Sequence, residues 1–295
     1  MRVTTLQIRD QRIAEIMRDE QRLEETQSQV STGKRIQRPS DAPDDIATLL
    51  QTNSDVAALT RQRAGADAAL PTMQASDAAL GNIATALQQA RTLTQQANNS
   101  TISADQRQTI AGQIAQVQSQ ILSLANTQVD GRYIFAGTKS DAAPFTAGPP
   151  VTYTGNNTPL ELSLAAGAQF SISVPGQALL NARAGTDLFQ NLTALESAVR
   201  SGDAQGMATG LSTLDDDLNN VTRQQADIGA REQYVQMLRQ QSDANLTSTQ
   251  SRQSQLENVD LAAAILDEKT AENANQAALA MAGRVGQISL LNYLQ

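Results

Sequence analysis

The sequence contains no cysteine and no histidine. Their absence excludes structural disulfides, zinc sites built from these residues, and catalytic mechanisms that use a cysteine nucleophile or a histidine base. Because chains without cysteine occur in both reducing and oxidising compartments, this absence does not indicate where the protein works. We expect no enzyme activity, no metal ion and no cofactor.

Aromatic residues are scarce too. They make up 3% of the chain and tryptophan is absent, although the hydrophobic fraction is 40%. That fraction must consist mostly of alanine, leucine, isoleucine and valine, which suits thin helical bundles better than a thick core. At 295 residues the chain can hold two domains or one elongated domain, and this composition favours the elongated form.

Positive charge and long apolar runs are also missing. The net charge of −8 and the lack of a basic stripe argue against a nucleic-acid partner, whose phosphates require clustered lysine and arginine. No apolar run is long enough to span a bilayer, and the N-terminus lacks the apolar core of a signal peptide. These rules alone predict a soluble cytoplasmic protein without a membrane partner.

Apolar residues recur at helical spacing over most of the chain. In the second predicted helix, Gly65 and Pro71 are expected to kink or divide the helix. In the third, Ser103 and Gln106 form the sequence signature of a capping box. The predicted helices cover about 5–30, 44–98, 103–124, 187–201 and 207–238, with a terminal helix between 256 and 295.

Between Tyr133 and Val174 the pattern changes to the alternation typical of β-strands. Several of the few aromatic residues fall in this segment and can form a compact core of its own. These aromatic residues are Tyr133, Phe135, Phe145, Tyr153 and Phe170, and the predicted strands are 151–154, 160–164 and 170–174.

The order of these elements brings the two ends of the chain together. We predict a mainly α, elongated fold in which long antiparallel helices carry a small β insert at the tip and the terminal helices pair as a coiled coil. The expected domains are a terminal coiled-coil domain (1–42 with 246–295), a long-helix rod domain (43–132 with 186–245) and a small β domain (133–185).

Both terminal helices carry narrow apolar stripes, typical of a coiled-coil seam rather than of a wide core-facing surface. A lone pair with so little apolar area is marginal in water. We therefore expect burial against other copies of the protein; the alternative is that the stripes pair only within one subunit. The candidate interface residues are Leu6, Ile13, Ile16, Leu23, Val30, Val259, Leu261, Ile265, Met281, Val285, Ile288, Leu291 and Leu294.

A basic loop connects the first two predicted helices. Gly33 is placed to end the first helix in the left-handed conformation, and Pro39 and Pro43 prevent its continuation. Ser40 or Asp41 can cap the second helix. The loop is either a solvated connector or a junction between helical domains that contacts other subunits. Its candidate residues are Gly33, Arg35, Pro39, Ser40, Asp41 and Pro43.

Three groups of segments, near the two ends and in the middle, resemble the bacterial flagellin family. Each is modest alone, but their order along the chain is specific. Within the family, the segments at 38–43 and 131–138 favour the members that join hook to filament over the flagellins of the filament. The segments are STGKRI at 31–36, RPSDAP at 38–43, GRYIFAGT at 131–138, ENVDLA at 257–262, QAALA at 276–280 and SLLNYL at 289–294.

This resemblance implies a structural subunit of the bacterial flagellum, in an adapter layer between hook-associated protein 1 and the flagellin filament. The alternative is a short flagellin that forms the filament itself. The implied partners are further copies of this chain, hook-associated protein 1, flagellin, an export chaperone and the flagellar type III export apparatus. The resemblance also replaces the cytoplasmic expectation with an extracellular location, reached without a cleaved signal peptide.

Two other classes fit less well. A signalling coiled coil of the chemoreceptor type would need a membrane span or an attached sensor, and the sequence shows neither. A secreted enzyme would use the acidic run Asp215, Asp216 and Asp217 to hold a metal ion. Consecutive residues of a helix point to different sides, so we expect this run to be a solvated face.

Limited proteolysis tests whether the terminal helices are marginal in the free subunit. We expect early cleavage to remove both terminal helices and to leave the middle of the chain intact, because weakly packed helices open more often than a packed core. Mass spectrometry of the fragments identifies the cleavage sites. Termini that resist cleavage as well as the middle would contradict the expectation.

Overall fold

The structure is a computed structural model that describes residues 2–148, 150–165, 168–180 and 187–291. Side chains are described for residues 7, 10, 11, 13–148, 150–162, 170–179 and 187–281. The helices are α1 (Arg2–Thr32), α2 (Pro43–Ala97), α3 (Ala104–Ala125), α4 (Gly176–Leu180), α5 (Leu188–Ser201), α6 (Ala204–Glu257) and α7 (Leu261–Leu291). The strands are β1 (Gln128–Val129), β2 (Arg132–Tyr133), β3 (Phe145–Thr146), β4 (Thr152–Tyr153), β5 (Glu161–Ala165) and β6 (Ala168–Ser171).

The strands form three antiparallel pairs, β1 with β2, β3 with β4 and β5 with β6. The prediction of a mainly α fold with a small β insert is confirmed. The chain divides into two compact units: unit 1 comprises Met1–Ala57 and Leu246–Gln295, and unit 2 comprises Ala58–Asn245.

In unit 2, the long helices bury side chains at intervals of seven residues. A seven-residue repeat is the spacing of coiled-coil packing: seven residues make about two helical turns, so residues seven apart face the same neighbouring helix. The row on α6 is Met207, Leu214, Val221, Ile228 and Val235, and the two rows on α2 are Ala66, Met73, Leu80, Leu87 and Thr94, and Ala69, Ser76, Ile83, Ala90 and Ala97.

Ion pairs on the partly exposed side of these rows join α2 to α6. Asp67 Oδ1 lies 2.6 Å from Arg239 Nε, and Arg91 Nε lies 3.3 Å from Asp215 Oδ1. From the first ion pair to the second, the residue number rises from 67 to 91 on α2 and falls from 239 to 215 on α6. Within unit 2 the two helices are therefore antiparallel. Half-exposed pairs of this kind contribute about 0–1 kcal/mol each, so they specify register more than stability.

Helix α2 continues through Gly65 and Pro71, so of the two predicted effects a division of the helix is wrong and a kink stays a prediction. Pro71 lies on the exposed side of the helix, and the buried residues Leu70 and Met73 continue the apolar rows beside it. A Cβ atom at Gly65 would lie 3.3 Å from Leu162 Cδ1, so this glycine makes room for the β5–β6 hairpin. Packing on both sides compensates for the hydrogen bond that the proline cannot make.

The aromatic residues of the β segment do not form a separate core. Phe135 and Phe145 are fully buried in the same apolar cluster as the rows of α2 and α6. The rings of Phe145 and Phe189 lie 5.7 Å apart, which connects the β segment to α5. The expectation failed because the partners of these rings lie far along the chain, where local periodicity gives no information.

The segment 131–138 forms a tightly closed turn. Gly137 has a φ of 63°, and a Cβ atom there would lie 2.2 Å from Asn156 Oδ1, so no larger residue fits. The Tyr153 hydroxyl donates hydrogen bonds to the carbonyl oxygens of Phe135 and Asn156, at 3.1 and 2.8 Å. Close packing and these hydrogen bonds give a structural reason for the sequence GRYIFAGT at 131–138.

The capping box predicted for α3 is confirmed. Ser103 Oγ accepts from the Gln106 backbone amide, and Gln106 Oε1 accepts from the Ser103 amide at 3.0 Å, which completes the capping box. Asp187 caps the start of α5, and Gly202, with a φ of 74°, ends it.

Asp217 corrects the expectation of a solvated acidic face. The run does present Asp215 to Arg91 at the surface, but Asp217 is only 1% exposed. Its Oδ2 accepts a hydrogen bond of 2.9 Å from Asn191 Nδ2, and its Oδ1 has no partner among the described residues. Burial raises the pKa of Asp217 to about 6, against the lowering effect of the Asn191 hydrogen bond.

Asp217→Asn should therefore stabilise unit 2 at neutral pH. The pKa is raised above its ordinary value of 3.8, so the folded chain retains a proton that the unfolded chain loses; this stabilisation is present below about pH 4 and is lost as pH rises through about 6. We expect a gain of about 1 to 3 kcal/mol in the free energy of unfolding at pH 7.5, shrinking toward pH 4.5.

Thermal melts of both proteins across this pH range measure the difference. The matched control is Asp215→Asn, which changes an exposed carboxylate two positions away and should shift Tm little at either pH. If Asp217→Asn changed Tm by the same amount at every pH, the folded chain would not disfavour the charged form of the Asp217 carboxylate, which would contradict the raised pKa.

Candidate assembly surface

The loop between α1 and α2 is held to the linker between α6 and α7 by backbone hydrogen bonds. The Arg35 amide donates to the Glu257 carbonyl at 2.6 Å, and the Val259 amide donates to the Gly33 carbonyl at 3.0 Å. Between them, Lys34 and Asn258 form an isolated β-bridge. We call residues 33–35 and 257–259 the clasp. It exists because Gly33, with a φ of 70°, turns the chain out of α1 as predicted.

Arg35 strengthens the clasp through its side chain. One guanidinium nitrogen, Nη2, donates to Asp45 Oδ2 at 2.8 Å and to the Leu256 carbonyl at 3.0 Å. The cation thereby binds the Asp45 carboxylate in the first turn of α2 and a carbonyl at the end of α6, where the helix dipole favours positive charge. Lys34 Nζ adds an ion pair with Glu257 Oε1 at 2.6 Å.

The rest of the loop is organised around Asp41. Its Oδ2 accepts hydrogen bonds from the backbone amides of Arg38 and Gln37, at 2.6 and 2.9 Å, and these bonds lower the pKa of the Asp41 carboxyl. The prediction that Ser40 or Asp41 caps α2 is therefore wrong for Asp41, whose carboxylate binds amides of the loop. Ser40 Oγ lies 3.3 Å from Asp41 Oδ1.

The two prolines of the loop are exposed, and Pro43 is the first residue of α2, the helical position that favours proline. The whole loop, with Arg35 and Asp45, lies inside unit 1, whose first stretch extends to Ala57. These contacts are all within one chain; the possibility that the loop also contacts other subunits stays a prediction.

Helix α7 packs on α1 through small and polar side chains. Among the residues whose side chains the structure describes, the buried ones are Ala264, Ala271 and Asn275 on α7 and Thr26 on α1. The α1 residues that flank Thr26 at coiled-coil spacing are half-buried: Ile16, Asp19, Leu23 and Val30. Because the clasp places the end of α1 beside the start of α7, the two helices are antiparallel.

The large apolar residues of α7 lie outside this seam. Leu261, Ile265 and Met281 are each about half exposed. Val259, which precedes α7 and belongs to the clasp, is half-buried. The alanines of α7 occupy the buried seam, so these exposed residues do not pair with the α1 stripe within one subunit, which was the alternative. Their burial against other copies of the protein stays a prediction. On α1, Ile13 is also exposed. The side chains of Leu6, Val285, Ile288 and Leu291, and all of Leu294, lie outside the described residues.

Several of the large apolar residues that are exposed were not predicted from the sequence. Met17 is 63% exposed, Leu266 69% and Leu279 53%, and Leu50 of α2 is exposed as well. The alanines spaced by seven on α7 were the available signal, since they mark a second and narrower seam beside the larger residues.

Exposed large apolar side chains are concentrated in unit 1. Of the ten that occur among the described residues, eight belong to unit 1, and only Tyr234 and Met237 belong to unit 2. Monomeric proteins expose few large apolar side chains together, so this concentration makes unit 1 the candidate for contacts with other proteins. Within the described part of the chain, no helix has the length and hydropathy required to cross a membrane.

Two protein-family models match the chain. The model of the bacterial flagellin N-terminal helical region matches residues 3–140, and that of the flagellin C-terminal helical region matches residues 211–294. Together they span about three quarters of the sequence. The chain belongs to the bacterial flagellin family.

Among individual relatives, the chain is similar to flagellar hook-associated protein 3 of Salmonella typhimurium, with 32% identity over 146 residues, 49% of this chain and 46% of that protein. It is also similar to flagellar hook-associated protein 3 of Escherichia coli, with 36% identity over 118 residues, 40% of this chain and 37% of that protein. These matches span less than half the length of either relative.

The fold is also found in a solved structure. A putative flagellar hook-associated protein from Vibrio parahaemolyticus superimposes with a TM-score of 0.68 and 18% sequence identity, over 74% of this chain and 100% of that chain. At this identity the likeness establishes a shared fold.

Asn275→Ala should stabilise the α1–α7 pair. Asn275 is buried, and its Oδ1 has no hydrogen-bond partner among the described residues, which costs about 1–3 kcal/mol. Removing the amide should slow amide hydrogen exchange along α7 about fivefold or more, the equivalent of about 1 kcal/mol.

The control is Asn273→Ala, because Asn273 is exposed on the same helix. It gains only the higher helix propensity of alanine, about 0.5 kcal/mol. Exchange in Asn275→Ala that is no slower than in this control would contradict a cost from the buried amide.

Proposed function

We propose that this chain is a structural subunit of the bacterial flagellum that forms the adapter layer between hook-associated protein 1 and the flagellin filament. Membership of the flagellin family supports a place in the flagellum. The names of the curated relatives, flagellar hook-associated protein 3, support the junction over the alternative of a short flagellin. The role requires no catalytic group, metal ion or cofactor.

The observation that carries the proposal is the concentration of exposed apolar side chains in unit 1. Each large side chain left in water forgoes about 1.5–3 kcal/mol that burial would supply. Ile265, Leu266 and Met281 on α7, with Met17 on α1, therefore provide the driving force for association. Helices that carry such a surface can bury it against the same helices of another copy.

Repetition of one contact explains how a layer forms. If a face of one subunit binds a different face of the next, the contact is heterologous, and a rise per subunit continues a helical lattice. Such a layer presents one surface to hook-associated protein 1 below and a similar surface to flagellin above. We assign these contacts to the terminal-helix residues identified from the sequence and to Met17, Leu266 and Leu279.

The proposed location follows from this role. A subunit of the flagellum beyond the hook is extracellular, and we infer that it reaches that place through the flagellar type III export apparatus with an export chaperone and without a cleaved signal peptide. The exposed apolar helices of the free subunit are a surface that a chaperone would have to cover.

The proposal is tested by adding the purified protein to hooks that end in hook-associated protein 1 and lack a filament, and imaging the tips by electron microscopy. A single short layer that then accepts flagellin is the expected result. Long filaments grown from this protein alone would make it a flagellin. Bare tips would overturn a role in the flagellar axis.

The double variant Ile265→Asp/Leu266→Asp tests the surface itself. Two carboxylates on the exposed apolar face should abolish addition to the hooks, because each must be desolvated in the contact. The control, Asn273→Asp/Gln276→Asp, adds the same charge at exposed polar positions of α7 and should assemble far better. Equal loss in both variants would show that added charge, rather than the apolar face, decides assembly.

A further inference from the structure

Methionine is the only sulfur-containing residue type in this chain. There are six methionines and no cysteine, and tryptophan and histidine are absent as well. A two-electron oxidant such as hydrogen peroxide therefore finds its most reactive targets in the thioethers of methionine. Which of them it reaches is decided by exposure.

The methionines with described side chains fall into two groups. Met73 and Met207 are buried in the apolar cluster of unit 2. Met17, Met237 and Met281 are more than half exposed, at 63%, 53% and 58%. Two of the three exposed thioethers, Met17 and Met281, belong to the terminal helices of unit 1, and the third belongs to α6 in unit 2.

The clasp register indicates where Met17 and Met281 lie along the α1–α7 pair. Gly33 faces Val259, so counting back along α1 and forward along α7 places Met17 opposite Asn275. Met281 lies six residues further along α7, which corresponds to roughly 9 Å at the helical rise per residue. Both thioethers therefore lie at a similar height along the pair, and both belong to the exposed residues assigned to assembly.

We propose that Met17 and Met281 are two oxidation-sensitive positions whose conversion to sulfoxides prevents assembly of this subunit. In the reaction, the thioether sulfur attacks one oxygen of hydrogen peroxide, the O–O bond breaks, an S=O bond forms, and water leaves; sulfur loses two electrons and the peroxide is reduced. The product sulfoxide is polar and chiral, so it disfavours burial in an apolar contact.

This inference rests on the proposed function, because it requires the surface around these two methionines to be buried on assembly. It adds a property of that surface. The free subunit is the vulnerable form, whereas assembly covers the same thioethers and protects them. A methionine sulfoxide reductase can reverse the change, since sulfoxide formation is the reversible step of methionine oxidation.

The first measurement follows oxidation of each methionine in the free subunit by peptide mass spectrometry during treatment with hydrogen peroxide. Met17, Met237 and Met281 should be oxidised faster than Met73 and Met207. The oxidant is then limited so that the buried pair stays reduced, and the thermal melt of unit 2 should remain unchanged. If Met17 and Met281 were oxidised as slowly as Met73 and Met207, the proposal would be overturned.

The second measurement adds the oxidised protein to hooks that end in hook-associated protein 1. Addition should weaken about tenfold or more, because two apolar side chains lose most of their burial free energy. The variant Met17→Leu/Met281→Leu keeps apolar side chains of similar volume that cannot form sulfoxides, and after oxidation it should still assemble. Met237→Leu, the matched control in unit 2, should lose assembly as the wild type does.

The outcomes separate the two proposals. If the untreated protein does not add to the hooks, the proposed function fails and this inference fails with it. If the untreated protein adds and the oxidised protein adds equally well, only the oxidation site is overturned. Loss of assembly in oxidised Met17→Leu/Met281→Leu would also overturn it, and restoration of the wild type by methionine sulfoxide reductases would support it.

Discussion

Burial of apolar side chains every seven residues along α2 and α6 is the interaction on which unit 2 depends. Leu80, Leu87 and Ile228 are at most 1% exposed, and each such side chain contributes about 1.5–3 kcal/mol when fully buried. The ion pairs beside them are half exposed and contribute less than about 1 kcal/mol each. The apolar rows therefore supply the stability, and the ion pairs supply the register.

Unit 1 uses a similar spacing with different residues. Its α7 seam contains Ala264, Ala271 and Asn275 where a self-sufficient coiled coil would carry leucine or isoleucine. Small side chains let two helices approach closely but bury little apolar area. One choice of residues thus has two consequences, a weakly stabilised helix pair and large apolar side chains left on its outer surface.

The sequence predicted those features that depend on neighbouring residues. The capping box at Ser103 and the glycine stop at Gly33 are local, and both were found as expected. The inward face of α7 was not predicted, because an alanine-rich helix is apolar on several sides and its period alone does not select one. The burial of Asp217 was missed for a related reason, since Asn191, its partner, lies on another helix.

An exposed apolar surface must still avoid unspecific association. On α7 the apolar residues Ile265 and Leu266 are followed directly by the charged residues Asp267, Glu268 and Lys269. The net charge of −8 adds long-range repulsion between copies, which specific packing must overcome at short range. Under the proposed role, a seam with larger residues would stabilise the free subunit but turn inward the side chains available for assembly. The small-residue seam is therefore better understood as the feature that leaves large apolar side chains outside the pair for assembly than as a defect of packing.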